Sequence, residues 1–190
     1  MSIVMYLGHD VKEYENQREK LITQYISDGL VRCELCTRIL KRHSSYERGI
    51  KETGAMLKIT MVWCRVCKHG HALLPDFILP HKHYGGNEIE SVIIDGSTTE
   101  ISHIETEASE STARRWIRQI GERLVRAISI LKYVYASMRR PIGEIEADVD
   151  AGYAELEQVL AMAPVEVVYS GNKLGLANMW LGKHSRGVYI

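Results

Sequence analysis

Apolar side chains recur along the first thirty residues with the period of an amphipathic helix. Asp10 and Glu13 fit a capping box, in which the Asp10 side chain accepts from the backbone and Glu13 reaches back. Gly29 is a typical helix stop. The pattern therefore predicts one helix within residues 1–30. Its apolar stripe consists of Val11, Tyr14, Leu21, Ile22, Tyr25 and Ile26.

The pattern changes to short β-type segments between residues 31 and 84. Residues 57–63 are rich in β-forming side chains and end beside a cysteine pair. Residues 68–84 contain Pro75 and Pro80, and their apolar positions alternate irregularly. We therefore expect an extended segment here, because two prolines would break a helix.

A helical pattern returns after residue 85. Residues 87–95 predict a short helix that ends before Gly96, and residues 97–100 form a second capping box that predicts another short helix. A third helix begins near Ser109 or Glu110 and keeps one apolar stripe as far as Met138. That helix would be about 40 Å long and would need the N-terminal helix, the C-terminal helix or another subunit as a partner.

The last fifty residues contain less regular patterns. Residues 152–162 predict one further helix, and residues 165–169 could be a strand or an extended tail. Glycines at positions 171, 175, 182 and 187 indicate loops. The apolar cluster at residues 178–181 could dock on a partner, although core packing is the favoured interpretation.

The four cysteines of the chain occur as two C-x-x-C pairs about thirty residues apart. Two such thiolate pairs can close a tetrahedron around Zn²⁺. Disulfides would need an oxidising compartment, a redox role needs only one pair, and unligated buried cysteines would not favour this spacing. A fully protein-ligated ion is structural and not catalytic. The predicted metal ligands are Cys33, Cys36, Cys64 and Cys67.

Histidines follow the second cysteine pair at intervals of two residues. Residues two apart on a strand point to the same side, so each pair could bind a second metal ion. No third ligand or carboxylate cluster accompanies them, which favours a structural or phosphate-contacting role. These histidines are His69, His71, His81 and His83.

Charge is distributed in blocks although the net charge is zero. Residues 31–84 hold ten Lys and Arg against four acids, residues 85–110 hold seven acids and no Lys or Arg, and residues 111–140 hold eight basic residues and one acid. Two basic surfaces separated by an acidic connector indicate a polyanionic partner. The alternative is a set of solvated helix faces whose charges neutralise one another.

The helical region has the layout of a helix-turn-helix, with small hydroxyl residues at the start of the third helix and arginines after them. Residues 109–117 resemble the recognition helix of transposase and resolvase helix-turn-helix domains. The preceding turn, residues 103–108, is longer than usual, lacks glycine and is acidic. Glu105, Glu107 and Glu110 would repel phosphate if they faced it. The residues expected to contact DNA from this helix are Ser109, Ser111, Thr112, Arg114, Arg115 and Arg118.

The cysteine module is expected to hold DNA phosphates through arginines near the two cysteine pairs. These are Arg38, Arg42, Arg48 and Arg65. A three-helix packing unit with a solvated basic helix remains the alternative to DNA binding.

The two cysteine pairs, the run His-Ala-Leu-Leu-Pro at residues 71–75, a following tyrosine and the helix-turn-helix pattern together resemble an uncharacterised bacterial family. That family is known only as a domain of unknown function, occurs mainly in Gram-positive bacteria and is often found beside transposases. The resemblance is clearest over residues 30–120; members commonly have Thr at the position of Gly70. It implies a DNA-associated role in a mobile element, as an accessory or regulatory factor.

The sequence lacks the motifs of a nucleophile elbow, a phosphate-binding glycine loop or a metalloprotease, so no enzymatic activity is expected. Double-stranded DNA is the predicted partner. The alternative is a protein-interaction adaptor that docks on a transposase or on a second copy of the chain. No apolar run approaches the roughly 20 residues that span a bilayer, and residues 1–7 lack the features of a signal peptide, so a cytoplasmic protein is expected.

The predicted fold class is α+β and mainly helical, with a small zinc-ribbon β module followed by a helix-turn-helix bundle that has a long helix. The expected divisions are an N-terminal helix at 1–30, a zinc-ribbon-like module at 31–84, a helix-turn-helix with an extended third helix at 85–140, and a C-terminal helix and tail at 141–190.

Overall fold

The computed structural model describes residues 2–138, 152–162, 167–184 and 189–190. Its strands are β1 (Ser2–Met5), β2 (Lys41–Gly49), β3 (Met56–Cys64) and β4 (His69–Pro75). Its α-helices are α1 (Val11–Ser27), α2 (Gly86–Asp95), α3 (Glu110–Ser137), α4 (Gly152–Ala161) and α5 (Lys173–His184). The fold is α+β, as the sequence predicts. Part of the predicted 165–169 segment, the end of the 85–140 region and the glycine at 187 lie outside the described residues.

The strands form one mixed sheet in the order β1-β4-β3-β2. β2, β3 and β4 are antiparallel neighbours, and Cys64 pairs with His69 where the chain turns from β3 into β4. β1 adds to the edge as a parallel strand, with Ser2 opposite Ala72. The pattern of residues 1–30 predicts only a helix and gives no sign of β1, because a four-residue strand whose partner lies about seventy residues away has no local pattern of its own.

α1 packs against the sheet and confirms the predicted N-terminal helix. The Asp10 side chain accepts the N–H of Glu13 at 2.8 Å, and the Glu13 carboxylate accepts the N–H of His9 at 2.7 Å. The fully buried Tyr14 donates its hydroxyl to the Lys58 carbonyl of β3 at 2.9 Å. The helix therefore covers the sheet face that belongs to the cysteine module.

α3 is one continuous helix of 28 residues. Its apolar stripe is buried against α2, α4 and α5, with Trp116 edge-on to Tyr84 at 4.9 Å and Tyr135 edge-on to Trp180 at 5.5 Å between ring centroids. Of the three partners considered for the long helix, the C-terminal part of the same chain provides the contact. Within the described ranges, no helix combines the length and apolarity needed to cross a membrane.

One local prediction in the helical region is wrong. The capping box at residues 97–100 does not open a helix: only one 3-10 turn (Ile101–His103) forms, and its N-cap Glu100 makes no side-chain cap. The expected helix-turn-helix layout thus lacks its second helix, and α2 connects to α3 through this single turn and a short loop.

Glycines 175 and 182 lie inside α5, where the sequence analysis expected loops. A Cβ added at Gly175 would lie 1.9 Å from the Asp76 carbonyl oxygen, so glycine is needed there for α5 to approach the end of β4. Residues 178–181 belong to this helix, and Leu181 is fully buried, which agrees with core packing.

A buried carboxylate, that of Glu90 in α2, holds the start of α5. Its oxygens accept the N–H groups of Lys173 at 2.8 Å and Leu174 at 3.3 Å, and the amide of Asn172 at 2.8 Å. The hydroxyl of Tyr153 in α4 also donates to it. Burial raises the pKa of Glu90 above its ordinary value of 4.5 in spite of these donors. Glu90 therefore connects α2, α4 and α5 and caps the start of α5. Its burial makes the charged form of the carboxylate less favourable than in water.

The raised pKa of Glu90 predicts that the stability of the fold depends on pH. Because the folded-state pKa of Glu90 is raised, the group stabilises the fold most below pH 4.5 and loses that contribution as the pH rises through its folded value. Glu90→Gln removes the titration and retains an acceptor for the helix N–H groups. We expect the unfolding free energy of Glu90→Gln, relative to that of the unsubstituted chain, to increase between pH 4.5 and pH 7.5 in urea titrations. Glu90→Ala should cost about 1–3 kcal/mol, because it leaves buried donors without an acceptor.

Glu157 is exposed on α4 and provides the matched control. Glu157→Gln should leave the change in unfolding free energy between pH 4.5 and pH 7.5 the same as in the unsubstituted chain. If Glu90→Gln changed the unfolding free energy by the same amount at both pH values, the role assigned to burial of Glu90 would be contradicted.

Candidate metal centre and basic surface

The structure brings the four cysteines together. Their Sγ atoms all lie within 4.8 Å of one another, and those of Cys36 and Cys64 are 3.5 Å apart. All four are free thiols, since a disulfide would need an S–S distance near 2.05 Å. Four sulfurs at about 2.3 Å from a central ion would be about 3.8 Å apart. The cluster has the spacing of a tetrahedral metal site and could hold a metal ion.

The two cysteine pairs sit in turns of the same construction. In the first turn, the N–H of Thr37 donates to the Cys33 carbonyl at 2.8 Å, and in the second, the N–H of Lys68 donates to the Cys64 carbonyl at 2.9 Å. Thr37 and Lys68 have φ angles of 61° and 56°, in the left-handed region. Each turn thus reverses the chain directly after its second cysteine, so that both thiols of the pair face the same point.

The sheet brings the two turns to one another. β3 ends at Cys64 and β4 begins at His69, so the second turn is the β3–β4 hairpin connection. The first turn is closed by an isolated antiparallel bridge between Arg32 and Ile39, and it leads directly into β2. Because β2 pairs with β3, with Lys41 opposite Trp63, the first turn lies beside the second.

The electrostatics of the cluster favour a cation. The N–H of Cys67 donates to the Cys64 sulfur at 3.4 Å and is the main cause that lowers the pKa of Cys64 to about 7. The hydrogen bond with Cys36, followed by burial, raises the pKa of Cys67 to about 12. One thiol thus ionises readily while its neighbour is held protonated. A divalent ion would stabilise the thiolate form of all four cysteines, so the donor set fits Zn²⁺.

The interior of the fold contains part of this cluster. Cys33 and Cys64 are 1 % exposed and belong to the core of the cysteine module, while Cys36 and Cys67 are partly exposed. Glu34, between the first two cysteines, accepts the Tyr189 hydroxyl at 2.6 Å. The sequence analysis did not find this contact, which anchors the first turn to the far end of the chain.

The arginines predicted to contact phosphate from the cysteine module have different surroundings. Arg38 and Arg65 are exposed in or beside the two turns. Arg42 forms an ion pair with Glu19 of α1. Arg48 is used inside the chain: its guanidinium donates to the Leu79 carbonyl at 2.7 Å and to that of Lys82. Burial lowers the pKa of Arg48. This position corrects the expectation for Arg48, which fastens β2 to the segment after β4.

The residues predicted to contact DNA from α3 lie at its N-cap and in its first three turns. Ser109 is the N-cap and its hydroxyl accepts the Thr112 N–H at 3.4 Å, while the Ser111 hydroxyl lies 3.1 Å from it. Arg114 pairs with Glu110, one of the three acids expected to repel phosphate. Arg115 and Arg118 are exposed.

Two further arginines extend the basic side of α3. Arg123 and Arg126 are exposed further along the same helix. We call Arg115, Arg118, Arg123 and Arg126 the α3 basic stripe. The basic block at residues 111–140 includes Arg123 and Arg126, but the helix-turn-helix pattern points only to the arginines nearer the helix start.

The histidines do not form a second metal cluster. His71 is fully buried in β4, where burial lowers its pKa, whereas His69, His81 and His83 are exposed. Among the residues that the structure describes, the four cysteines are the one group of three or more potential ligands that are close enough to share an ion.

A family model described as a domain of unknown function, DUF6431, matches residues 33–116. The match begins at the first cysteine and ends at Trp116 in α3, so it includes both cysteine turns, α2 and the first two turns of α3. The predicted resemblance to an uncharacterised domain family is confirmed over this segment. No significant match to a curated protein or to a solved structure was found.

The cluster geometry predicts stoichiometric metal binding. We expect one Zn²⁺ per purified chain by elemental analysis and loss of the ion in Cys64→Ser. Removal of the ion by a chelator should lower the unfolding free energy by several kcal/mol, because metal-binding free energy is folding free energy where no preformed site exists in the unfolded chain. His69→Ala is the control, since His69 lies two residues from Cys67 and is not in the cluster. A metal-free chain with unchanged stability would refute the assignment.

The left-handed residues after each cysteine pair provide a separate prediction. Lys68→Gly should raise the unfolding free energy of the metal-loaded chain by about 0.5–1 kcal/mol, because glycine adopts φ of 56° without steric cost. Arg65→Gly, in the same turn but outside the left-handed region, should give no gain. Equal effects of the two changes in urea titrations would show that the turn conformation is not strained.

Proposed function

We propose that the chain is a zinc-containing protein that binds double-stranded DNA, as an accessory or regulatory factor of a mobile element. The observation that carries the proposal is the α3 basic stripe, which lies on the solvent side of a rigid, well-packed helix. The four-cysteine cluster supports the structural part of the proposal, with Zn²⁺ held by Cys33, Cys36, Cys64 and Cys67.

The length of the stripe along the helix axis suits contact with a DNA duplex. Arg115 and Arg126 are eleven residues apart, about 16 Å along a helix axis. Arg115, Arg118 and Arg126 lie on the side opposite to the buried Ile120 and Leu124, with Glu122 as the only acid between them in the sequence. A helix that presents exposed arginines at this spacing can lie in a groove and contact several phosphates.

Two acidic residues near the start of α3 are bound within the chain, so their charges oppose DNA phosphate less than those of free carboxylates would. Glu110 is paired with Arg114, and Glu88 accepts the Thr106 hydroxyl and the N–H of Glu107 at 2.9 Å. These carboxylates stabilise the loop and the first turn of α3. The small hydroxyl residues at 109, 111 and 112 leave room for a close approach of DNA to the helix start.

The remaining parts of the proposal rest on chemistry and resemblance. Four reduced thiols favour a cytoplasmic setting, since oxidising compartments convert paired thiols to disulfides. The role in a mobile element follows only from the resemblance stated for residues 30–120. The proposal assigns binding and no catalysis.

An adaptor role is the second candidate, and two exposed residues of α3 favour it. Val125 is 58 % exposed and Tyr133 is 75 % exposed on the outer side of the helix. A large aromatic side chain this exposed is common where proteins associate. In this alternative, α3 docks on a transposase or on a second copy of the chain.

DNA binding is tested by the salt dependence of duplex affinity. Each phosphate contact should contribute about 0.9 to the slope of log K against log salt. Arg118→Gln combined with Arg126→Gln should lower that slope by about 2 and the affinity at low salt by about 10- to 100-fold, with unchanged zinc content. Fluorescence anisotropy with a labelled duplex measures both quantities.

The matched control is Lys12→Gln combined with Lys20→Gln, which removes the same charge from exposed positions of α1. Absence of duplex binding at low salt would overturn the DNA proposal. Concentration-dependent self-association that Tyr133→Ser abolishes would then support the adaptor.

A further inference from the structure

A polar cleft of about 330 Å³ lies where the cysteine module meets the start of α3. Three separate segments form its walls: the β2–β3 connection, the loop between β4 and α2, and the first three turns of α3. The basic residues that line it are Lys51, His81, Lys82, His83 and Arg115. The other lining side chains, those of Thr112, Gln119, Tyr84 and Trp116, are polar or aromatic.

Contacts within the cleft fix several of these groups. Lys82 donates to the Gln119 side chain at 3.2 Å. The ammonium group of Lys51 lies 5.6 Å from the centre of the Tyr84 ring, and that ring packs on Trp116. Lys82 is thus held by Gln119 of α3, and Lys51 lies over the ring of Tyr84.

The cleft carries positive charge without a matching acid. Among the described residues, no carboxylate forms an ion pair with Lys51, Lys82 or Arg115. Glu52, next to Lys51, instead accepts the N–H of Gly85 at 2.5 Å. Burial, followed by the charges of Arg123 and Arg115, lowers the pKa of Lys82. An anion in the cleft would relieve this repulsion.

The walls are preorganised by backbone contacts. The N–H of Lys51 donates to the His83 carbonyl at 2.8 Å, and Arg48 binds the carbonyls of Leu79 and Lys82. His81 has a φ of 62°, so the loop turns sharply between these anchors. Such a loop loses little conformational freedom when a ligand binds.

We propose that this cleft is a phosphate-binding site, with Lys51, Lys82 and Arg115 as its principal ligands. The inference deepens and rests on the proposed function, because the source of the phosphate that it favours is the backbone of DNA lying along the α3 basic stripe. Arg115 belongs to both surfaces, so a strand that follows the stripe reaches the cleft at its N-terminal end.

The chemistry of the lining residues selects phosphate over other anions. Arginine supplies a planar fork, lysines supply point charges and the Thr112 hydroxyl supplies a neutral donor, which together suit a group with several oxygens and more than one orientation. Free phosphate or a phosphorylated small molecule has the same chemistry, so the experiment must separate these sources from DNA.

The first arm measures duplex binding by the full zinc-loaded chain. Lys51→Ala combined with Arg115→Gln should lower the slope of log K against log salt by about 2 and reduce affinity at least tenfold. Lys20→Ala, an exposed lysine on α1, is the matched control for Lys51→Ala and should change the slope by less than half a unit.

The second arm uses inorganic phosphate and does not depend on DNA. NMR of the imidazole C–H signals should show saturable shifts of His81 and His83 on phosphate addition at constant pH and ionic strength, with chloride as the reference salt. His103, which does not line the cleft, should not show a saturable shift. In the Lys51→Ala, Arg115→Gln chain the saturable shifts should disappear while circular dichroism and zinc content remain unchanged.

The two arms separate the possible failures. Phosphate shifts without any duplex binding would support the site and assign it to small phosphates, while the proposed function fails. Duplex binding whose salt slope is unaffected by the cleft variants, together with the absence of saturable phosphate shifts, would overturn the cleft and leave the proposed function intact. Loss in both arms on substitution would support the cleft as a contact for backbone phosphate.

Discussion

The mutual repulsion of four sulfurs is the constraint on which the cysteine module depends. Thiols within 4.8 Å of one another cannot all ionise unless a cation offsets their charge. A divalent ion would convert this repulsion into four bonds. Because Cys33 and Cys64 also belong to the apolar core that the sheet shares with α1, those bonds would stabilise the same core.

The position of α3 follows from that module through a short chain of contacts. β4 runs from the second cysteine turn into residues 76–85, and Arg48 and Glu52 fasten this segment to the β2–β3 connection. The segment leads into α2, which packs on α3, and Tyr84 contacts Trp116 directly. The cysteine module thus supplies the wall that faces the start of α3.

Local patterns predicted those parts of the fold that depend on local interactions. The cysteine spacing, the Asp10 cap of α1 and the apolar stripe of α3 each follow from neighbouring residues, and each is present. β1 and α5 could not be found in this way, because β1 requires β4 as its partner and α5 requires the Glu90 carboxylate and the close approach of Gly175 to Asp76. Residues 97–100 show the opposite case, because their sequence fits a capping box and yet no α-helix begins there.

The presence of an arginine in a basic block of the sequence does not show whether its side chain binds within the fold or lies free on the surface. Arg48 and Arg115 both fall in basic blocks of the sequence, yet Arg48 binds two carbonyls and Arg115 lies exposed at a cleft. The acidic block shows the same division, because Glu90 is buried at the start of α5 and Glu110 is paired. Zero net charge is therefore compatible with a polyanionic partner: some acids are used to hold helices and loops, whereas the four arginines of the α3 basic stripe remain on the surface. The local field over α3, and not the total charge, decides which ligands approach it.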